Sequence, residues 1–193
     1  MAAISNTLFT FLTAGKRVVS VKDTYGGTSK IFIDFLPHYD VDVKLCETTN
    51  HDQLEEEIAK GCDLVYLETP TNPTLKVVDV QRLSQAAKKV NAIVVVDNTF
   101  ATPINQNPLQ LGADLVIHSA TKFLCGHSDA MCFNNIISQR QTQSGLYLMS
   151  YSSFRFLIKS VARRSKVSAI FGVCRKTILE RTSSTYWFSI DLS

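Results

Sequence analysis

Along the first 118 residues, short apolar runs alternate with amphipathic stretches. Arg17–Val21, Val41–Leu45, Leu64–Leu67, Ile93–Val96 and Leu115–Ile117 are runs of three to five residues rich in Val, Leu and Ile, which predicts five strands. Between them lie Lys30–Leu36, His51–Lys60 with Asn50 as a helix cap, and a stretch from Asp79 to about Val90, all with helical spacing. Strands that are continuously apolar, rather than alternating, are covered on both faces. The pattern predicts an α/β fold, a mainly parallel sheet with helices on both faces. No internal repeat or low-complexity segment interrupts it before residue 136.

In such sheets ligands bind beyond the carboxyl ends of the strands. Glu68, Asp97 and Ser119 each follow such an end, so three polar positions are expected to face one crevice. Asp97 closes the run Ile93-Val-Val-Val-Asp97, and Lys122 follows His118-Ser-Ala-Thr121, where two hydroxyls precede a lysine. A lysine able to form a Schiff base, an acid for a pyridinium nitrogen and hydroxyls for a phosphate are the groups a pyridoxal phosphate (PLP) site requires. Partial burial would lower the pKa of Lys122 and make it a nucleophile. Alone, Asp97 would read as a strand-end acid, Lys122 as a surface lysine, and Ser119 with Thr121 as a hydroxyl turn. Tyr25 precedes Gly26-Gly27, where backbone can approach a ring closely. Asn72 lies between two prolines in Glu68-Thr-Pro-Thr-Asn-Pro73, a rigid loop that can position an amide or simply end a strand.

Composition changes this picture at one place. All five prolines precede position 109, and residues 136–193 carry nine Lys/Arg and twelve serines against only Glu180 and Asp191. The first 135 residues hold eleven basic and fifteen acidic side chains. Two segments are expected, a partial cofactor domain over 1–135 and a divergent basic, Ser-rich segment over 136–193. Phe154–Phe171 has a basic helical face that would suit acidic membranes or nucleic acid. The reading adopted is that neither is a partner and that the segment is a divergent ending. Five scattered cysteines without a CxxC argue for a reducing compartment and a cytoplasmic protein. Cys125, His127, Asp129 and Cys132, with His118 upstream, lack the paired spacing of a structural zinc site, so no metal is expected. The apolar start, Met1–Leu12, has no basic residue before Lys16, which argues against a secretory or transit signal.

Four motifs in order, Asp23-Thr-Tyr-Gly-Gly-Thr28, Tyr66-Leu-Glu-Thr-Pro-Thr-Asn-Pro-Thr-Leu-Lys76, Val96-Asp-Asn-Thr-Phe-Ala-Thr-Pro103 and His118-Ser-Ala-Thr-Lys-Phe-Leu124, resemble the PLP-dependent enzymes of Cys/Met metabolism. That family includes cystathionine γ-synthase, cystathionine lyases and methionine γ-lyase. The resemblance covers roughly residues 1–131 and implies the fold-type I aminotransferase-like major domain. It implies Lys122 as the Schiff-base lysine and Asp97 as partner of the pyridine nitrogen. Tyr25 would be the ring-stacking tyrosine that assists proton transfer, Asn72 would lie near the cofactor's phenolic oxygen, and Ser119 and Thr121 would contact the phosphate. The implied activity is elimination or replacement at the β or γ carbon of methionine, cystathionine or an O-acylhomoserine, in a homodimer or homotetramer. The family's Ser-Gly phosphate turn falls immediately before Met1, and its substrate-binding domain has no counterpart after residue 135. A partial copy is therefore expected, or alternatively a non-catalytic remnant that binds cofactor or associates with full-length homologues.

Overall fold

The computed structural model describes residues 1–126 and 134–137. Its centre is a six-stranded sheet: β1 (Arg17–Val21), β2 (Asp42–Cys46), β3 (Leu64–Glu68), β4 (Ile93–Asp97), β5 (Leu115–His118) and β6 (Asn134–Ile137), in spatial order β2-β1-β3-β4-β5-β6. The first five strands pair parallel, and β6 runs antiparallel to β5. Each expected strand forms within a residue or so of its expected limits. β6 lies beyond the periodic region and is not expected from the pattern. The segment 138–193, including the amphipathic stretch Phe154–Phe171, lies outside the described residues.

The helices are α1 (Ala2–Phe11), α2 (Gly26–Lys30), α3 (His51–Ala59), α4 (Val80–Lys89) and α5 (Thr102–Asn105). Alternation along the strands divides the interior into two cores. Val19, Val21, Val65, Leu67, Val94 and Val96 pack with Leu54 and Ile58 of α3 and Leu83 and Ala87 of α4. Val18, Leu64, Tyr66, Val95, Leu115 and Ile117 pack with Ala3, Ile4 and Leu8 of α1 and with Ile31, Phe32 and Leu36. Helices on both faces explain why the strand sequences are continuously apolar.

Local chemistry sets the helix ends. The Asn50 side chain accepts the Gln53 N–H at 3.0 Å, and Asp79 accepts the Arg82 N–H at 2.9 Å. Both satisfy donors that the first helical turn leaves unpaired. The expected single helix over Lys30–Leu36 is instead composite. α2 runs into a π turn over Ile31–Phe35 and a 3₁₀ turn over Leu36–Tyr39. Pro37 lies in that last turn, and the left-handed Asp40 (φ 58°) ends it. Helix α1 is outside the strand-helix pattern because it has no side-chain cap. Burial of Ala3, Ile4, Thr7 and Leu8 against β5 and its neighbours forms it.

Among the described residues no helix is long and apolar enough to cross a membrane.

Candidate functional site

The topology opens a crevice between β1 and β3. The chain leaving β1 passes through α2 on the α1 face, whereas the chain leaving β3 passes through α4 on the opposite face. Two adjacent parallel strands whose connections diverge in this way define a switch point, where the loops part and a ligand can enter. Tyr25 is carried by the first of these loops and Asn72 by the second.

Strand alternation places the acids. Glu68 and Asp97 are register partners at the carboxyl ends of β3 and β4. Both point to the α1 face, because Tyr66 and Val95, two residues before them, do so. Asp97 is 7% exposed. One of its oxygens accepts the Thr99 N–H at 3.0 Å, and the Tyr66 hydroxyl lies 3.5 Å from the other. No Lys or Arg among the described residues lies within ion-pair distance of it. Burial therefore pushes its pKa up, against hydrogen bonds from Thr99 and Tyr66 and the nearby Met1 α-amino group, which pull it down. Burial in turn lowers the pKa of that amino group. Helix α1 thus begins close to Asp97. Its first intrahelical bond is Ser5 N–H to Met1 O at 2.9 Å, so the amides ahead of Ser5 are free of the helix ladder at this end of the sheet.

Glu68 is 5% exposed and its pKa is pushed up to about 7, chiefly by burial. Its two oxygens accept backbone N–H groups from two loops, Tyr25 at 2.8 Å and Asn72 at 3.1 Å. The side chains of Tyr25 and Asn72 are themselves exposed at the crevice mouth. At Gly27 the Met1 side chain and the Tyr25 ring close in on the backbone, and an added Cβ would have to push these side chains aside. A second set of bonds braces the Tyr25 loop. Asp23 accepts from the Thr48 hydroxyl at 2.7 Å and from Lys76 Nζ at 2.8 Å, and Lys76 also reaches Glu47 at 2.8 Å.

On the far side of the crevice, the Thr99 hydroxyl accepts the Ser119 N–H at 2.8 Å, tying the Asp97 loop to the segment that carries the lysine. Ser119 and Thr121 are half-buried. Lys122, expected to be partly buried, is exposed. It lies in the turn after β5, whose backbone bonds are local: Lys122 N–H to Ser119 O at 3.0 Å and Gly126 N–H to Lys122 O at 2.9 Å. The structure therefore brings Tyr25, Asn72, Asp97, Ser119, Thr121 and Lys122 to one end of the sheet, with Lys122 and Asn72 on the solvent side. Sequence reasoning missed the contributions of Thr99 and Tyr66. Each is two residues from an acid of the site, a spacing that placed both near the crevice.

The loop bearing Asn72 holds Leu75 with φ 54°, its side chain 56% exposed. A left-handed conformation costs a non-glycine residue roughly 1–2 kcal/mol. Leu75→Gly is expected to raise stability by about 1 kcal/mol in urea unfolding, since little packing is lost.

The group Cys125, His127, Asp129 and Cys132 lies largely outside the described residues. Among the described residues no cluster of three or more His, Cys, Asp or Glu is arranged to hold a metal.

Taken together, a doubly wound parallel sheet with a buried acid and loop-borne donors at its switch point defines a cofactor-binding α/β domain. The family profile for Cys/Met metabolism PLP-dependent enzymes matches residues 1–155, and the chain belongs to that family. The match runs past residue 131, where the motif resemblance ended. An L-methionine gamma-lyase of Fusobacterium nucleatum subsp. polymorphum is 47% identical over 132 residues, which are 68% of this chain and 33% of that protein. The crystal structure of MetB from Corynebacterium glutamicum superposes with a TM-score of 0.73 at 28% identity, covering 96% of this chain and 51% of the other. A putative O-acetylhomoserine (thiol)-lyase (MetY) of Campylobacter jejuni, solved with N'-pyridoxyl-lysine-5'-monophosphate, gives 0.68 at 25% identity, covering 79% of this chain and 36% of the other. The chain spans about a third of the length of the curated relatives it matches.

Proposed function

We propose that the crevice at the ends of β1, β3, β4 and β5 binds PLP and that the protein acts on sulfur-containing amino acids. The observation that carries this reading is Asp97: a buried carboxyl with no Lys or Arg partner among the described residues. Such a group is costly unless a cation meets it, and the donors in bonding contact, the Thr99 N–H and the Tyr66 hydroxyl at 3.5 Å, are neutral. A pyridinium N–H would add a charged donor, so the residues present fit the cofactor. Ser119 and Thr121 would hold the phosphate together with the amides at the start of α1. Asn72 would meet the phenolic oxygen, and Tyr25 would cover the ring face.

When bound, the cofactor supplies an electron-withdrawing ring that stabilises negative charge at the α-carbon of an amino acid. Lys122 would hold the cofactor's aldehyde carbon and, once freed, carry the α-proton. Tyr25 would assist departure of the β or γ substituent. Relatives named for methionine and for O-acetylhomoserine motivate elimination or replacement at those carbons. A homodimer or homotetramer in the cytoplasm is part of the same proposal. So is the division at 135/136, with 136–193 as a separate basic segment.

The direct experiment adds PLP to the purified chain and records the visible spectrum. The expected result is a saturable band from lysine-bound cofactor, distinct from that of free PLP. A well-folded chain that yields no such band overturns the reading. Turnover of methionine, cystathionine or O-acetylhomoserine then separates catalysis from binding alone.

A further inference from the structure

We propose that Glu68 is a positioning residue that sets the crevice of the PLP site by clasping its two walls, an inference that rests on the PLP reading for its functional consequence. The geometry is specific. The loops after β1 and β3 leave the sheet toward opposite faces, and few contacts hold such diverging segments together. Two side-chain links span them: the Lys76–Asp23 ion pair at 2.8 Å further out, and Glu68, which alone holds a backbone amide of each loop. Glu68 Oε2 accepts from Tyr25 N–H at 2.8 Å, and Oε1 accepts from Asn72 N–H at 3.1 Å. Each amide belongs to a residue whose side chain is proposed to touch the cofactor, so the backbone origin of both contacts depends on one carboxyl group.

The chemistry requires two acceptor atoms. Both partners are N–H donors, so the site needs an oxygen on each branch of the side chain. A carboxylate has both. An amide has one acceptor and one donor, and the donor would face an N–H. Burial strengthens the demand, because the Glu68 carboxyl, 5% exposed, has these amides rather than bulk water as its partners. The neighbouring charges are Asp97 on β4 and, beyond it, the Met1 α-amino group at the start of α1. Neither bridges the loops. Further out, Lys76 of the Asn72 loop pairs with Asp23 of the Tyr25 loop, which Thr48 also braces; this links the loops through side chains and leaves their amides to Glu68.

Residue-resolved amide exchange on the full chain without cofactor, at a pH above about 7 where Glu68 is ionised and both oxygens accept, tests the clasp, and a PLP titration tests its consequence. In Glu68→Ala both the Tyr25 and Asn72 amides are expected to exchange at least about tenfold faster than in wild type. In Glu68→Gln one of the two is expected to keep its protection. The Thr99 and Ser119 amides, bonded to Asp97 and Thr99 on the other wall, should not change. PLP affinity should fall in the order wild type, Glu68→Gln, Glu68→Ala, with the lysine-bound band still reached at saturation. Unchanged exchange at both amides, or faster exchange spread evenly through β3 and β4, overturns the proposal. If Glu68→Ala does not fold, the near-isosteric Glu68→Gln alone decides, since only a clasp predicts selective loss at one loop. Failure of the wild-type chain to bind PLP would sink the functional reading and leave the exchange result standing by itself.

Discussion

Lys122→Ala is expected to abolish the visible band of lysine-bound PLP completely, whereas Asp97→Asn should keep the band and weaken binding by about a hundredfold. The two variants differ because the two residues would contribute different bonds. Lys122 would make the covalent attachment. Its exposure and its lack of a carboxylate partner among the described residues mean that removing it disturbs little else. Circular dichroism and unfolding midpoint are therefore expected to be unchanged. Asp97 would make a charge-assisted hydrogen bond inside a dry site, and an asparagine keeps the shape while removing the charge. The same substitution should raise the stability of the cofactor-free chain. Burial pushes the Asp97 pKa up, so its ionised form is disfavoured in the fold, and the amide oxygen of an asparagine can still accept the Thr99 N–H. Binding and stability should thus move in opposite directions, as measured by PLP titration and by urea unfolding at neutral pH. An Asp97→Asn chain that is less stable and binds PLP normally would contradict both halves.

Glu68 and His118 are each expected to contribute a pH dependence of about 3 kcal/mol to stability, with opposite signs. Glu68 is raised from an ordinary 4.5 to about 7. A raised pKa means that its favourable contribution is fully present below pH 4.5 and is lost as pH rises through about 7. His118 is 2% exposed, its Nδ1 has no hydrogen-bond partner, and burial lowers its pKa from 6.5 to about 4. A lowered pKa has the opposite consequence: its contribution is present above pH 6.5 and is lost as pH falls through about 4. Between pH 4.5 and 6.5 the two slopes oppose each other. Unfolding free energies across this range should be read as differences from wild type at each pH, because Asp97 adds a contribution of the same sign as Glu68. Glu68→Gln should gain relative to wild type as pH rises from 4.5 to 7. His118→Leu should gain as pH falls from 6.5 to 4. Parallel curves for a variant and wild type would show that the group does not titrate in that window.

Much of this could be read from the linear chain. Five strands and the helices α3 and α4 were legible because their cues are local: runs of branched apolar residues, Asn50 as a cap, and a helical period. The four motifs carried the family. Less legible were α1, whose apolar start has no capping side chain and which folds through the core it covers, and β6, which lies past the last periodic segment. Glu68 was visible as a strand-end acid facing the crevice, but its two N–H donors come from residues 43 positions before and 4 positions after it. No spacing rule connects such partners. Lys122 was expected to be partly buried and is exposed, because a motif specifies chemistry and says little about how a turn sits on the surface.

Asp97 and Lys122 illustrate where the division falls. Their identity as acid and lysine at strand ends follows from residue type and order, which depend on neighbours along the chain. Tertiary structure decides that Asp97 is buried without a Lys or Arg partner among the described residues. It also decides that Thr99 links Asp97 to the Lys122 segment, and that Glu68 joins the two loops at the switch point. Burial and pairing depend on which strands lie side by side, and the order β2-β1-β3-β4-β5 brings together carboxyl ends that the sequence keeps tens of residues apart.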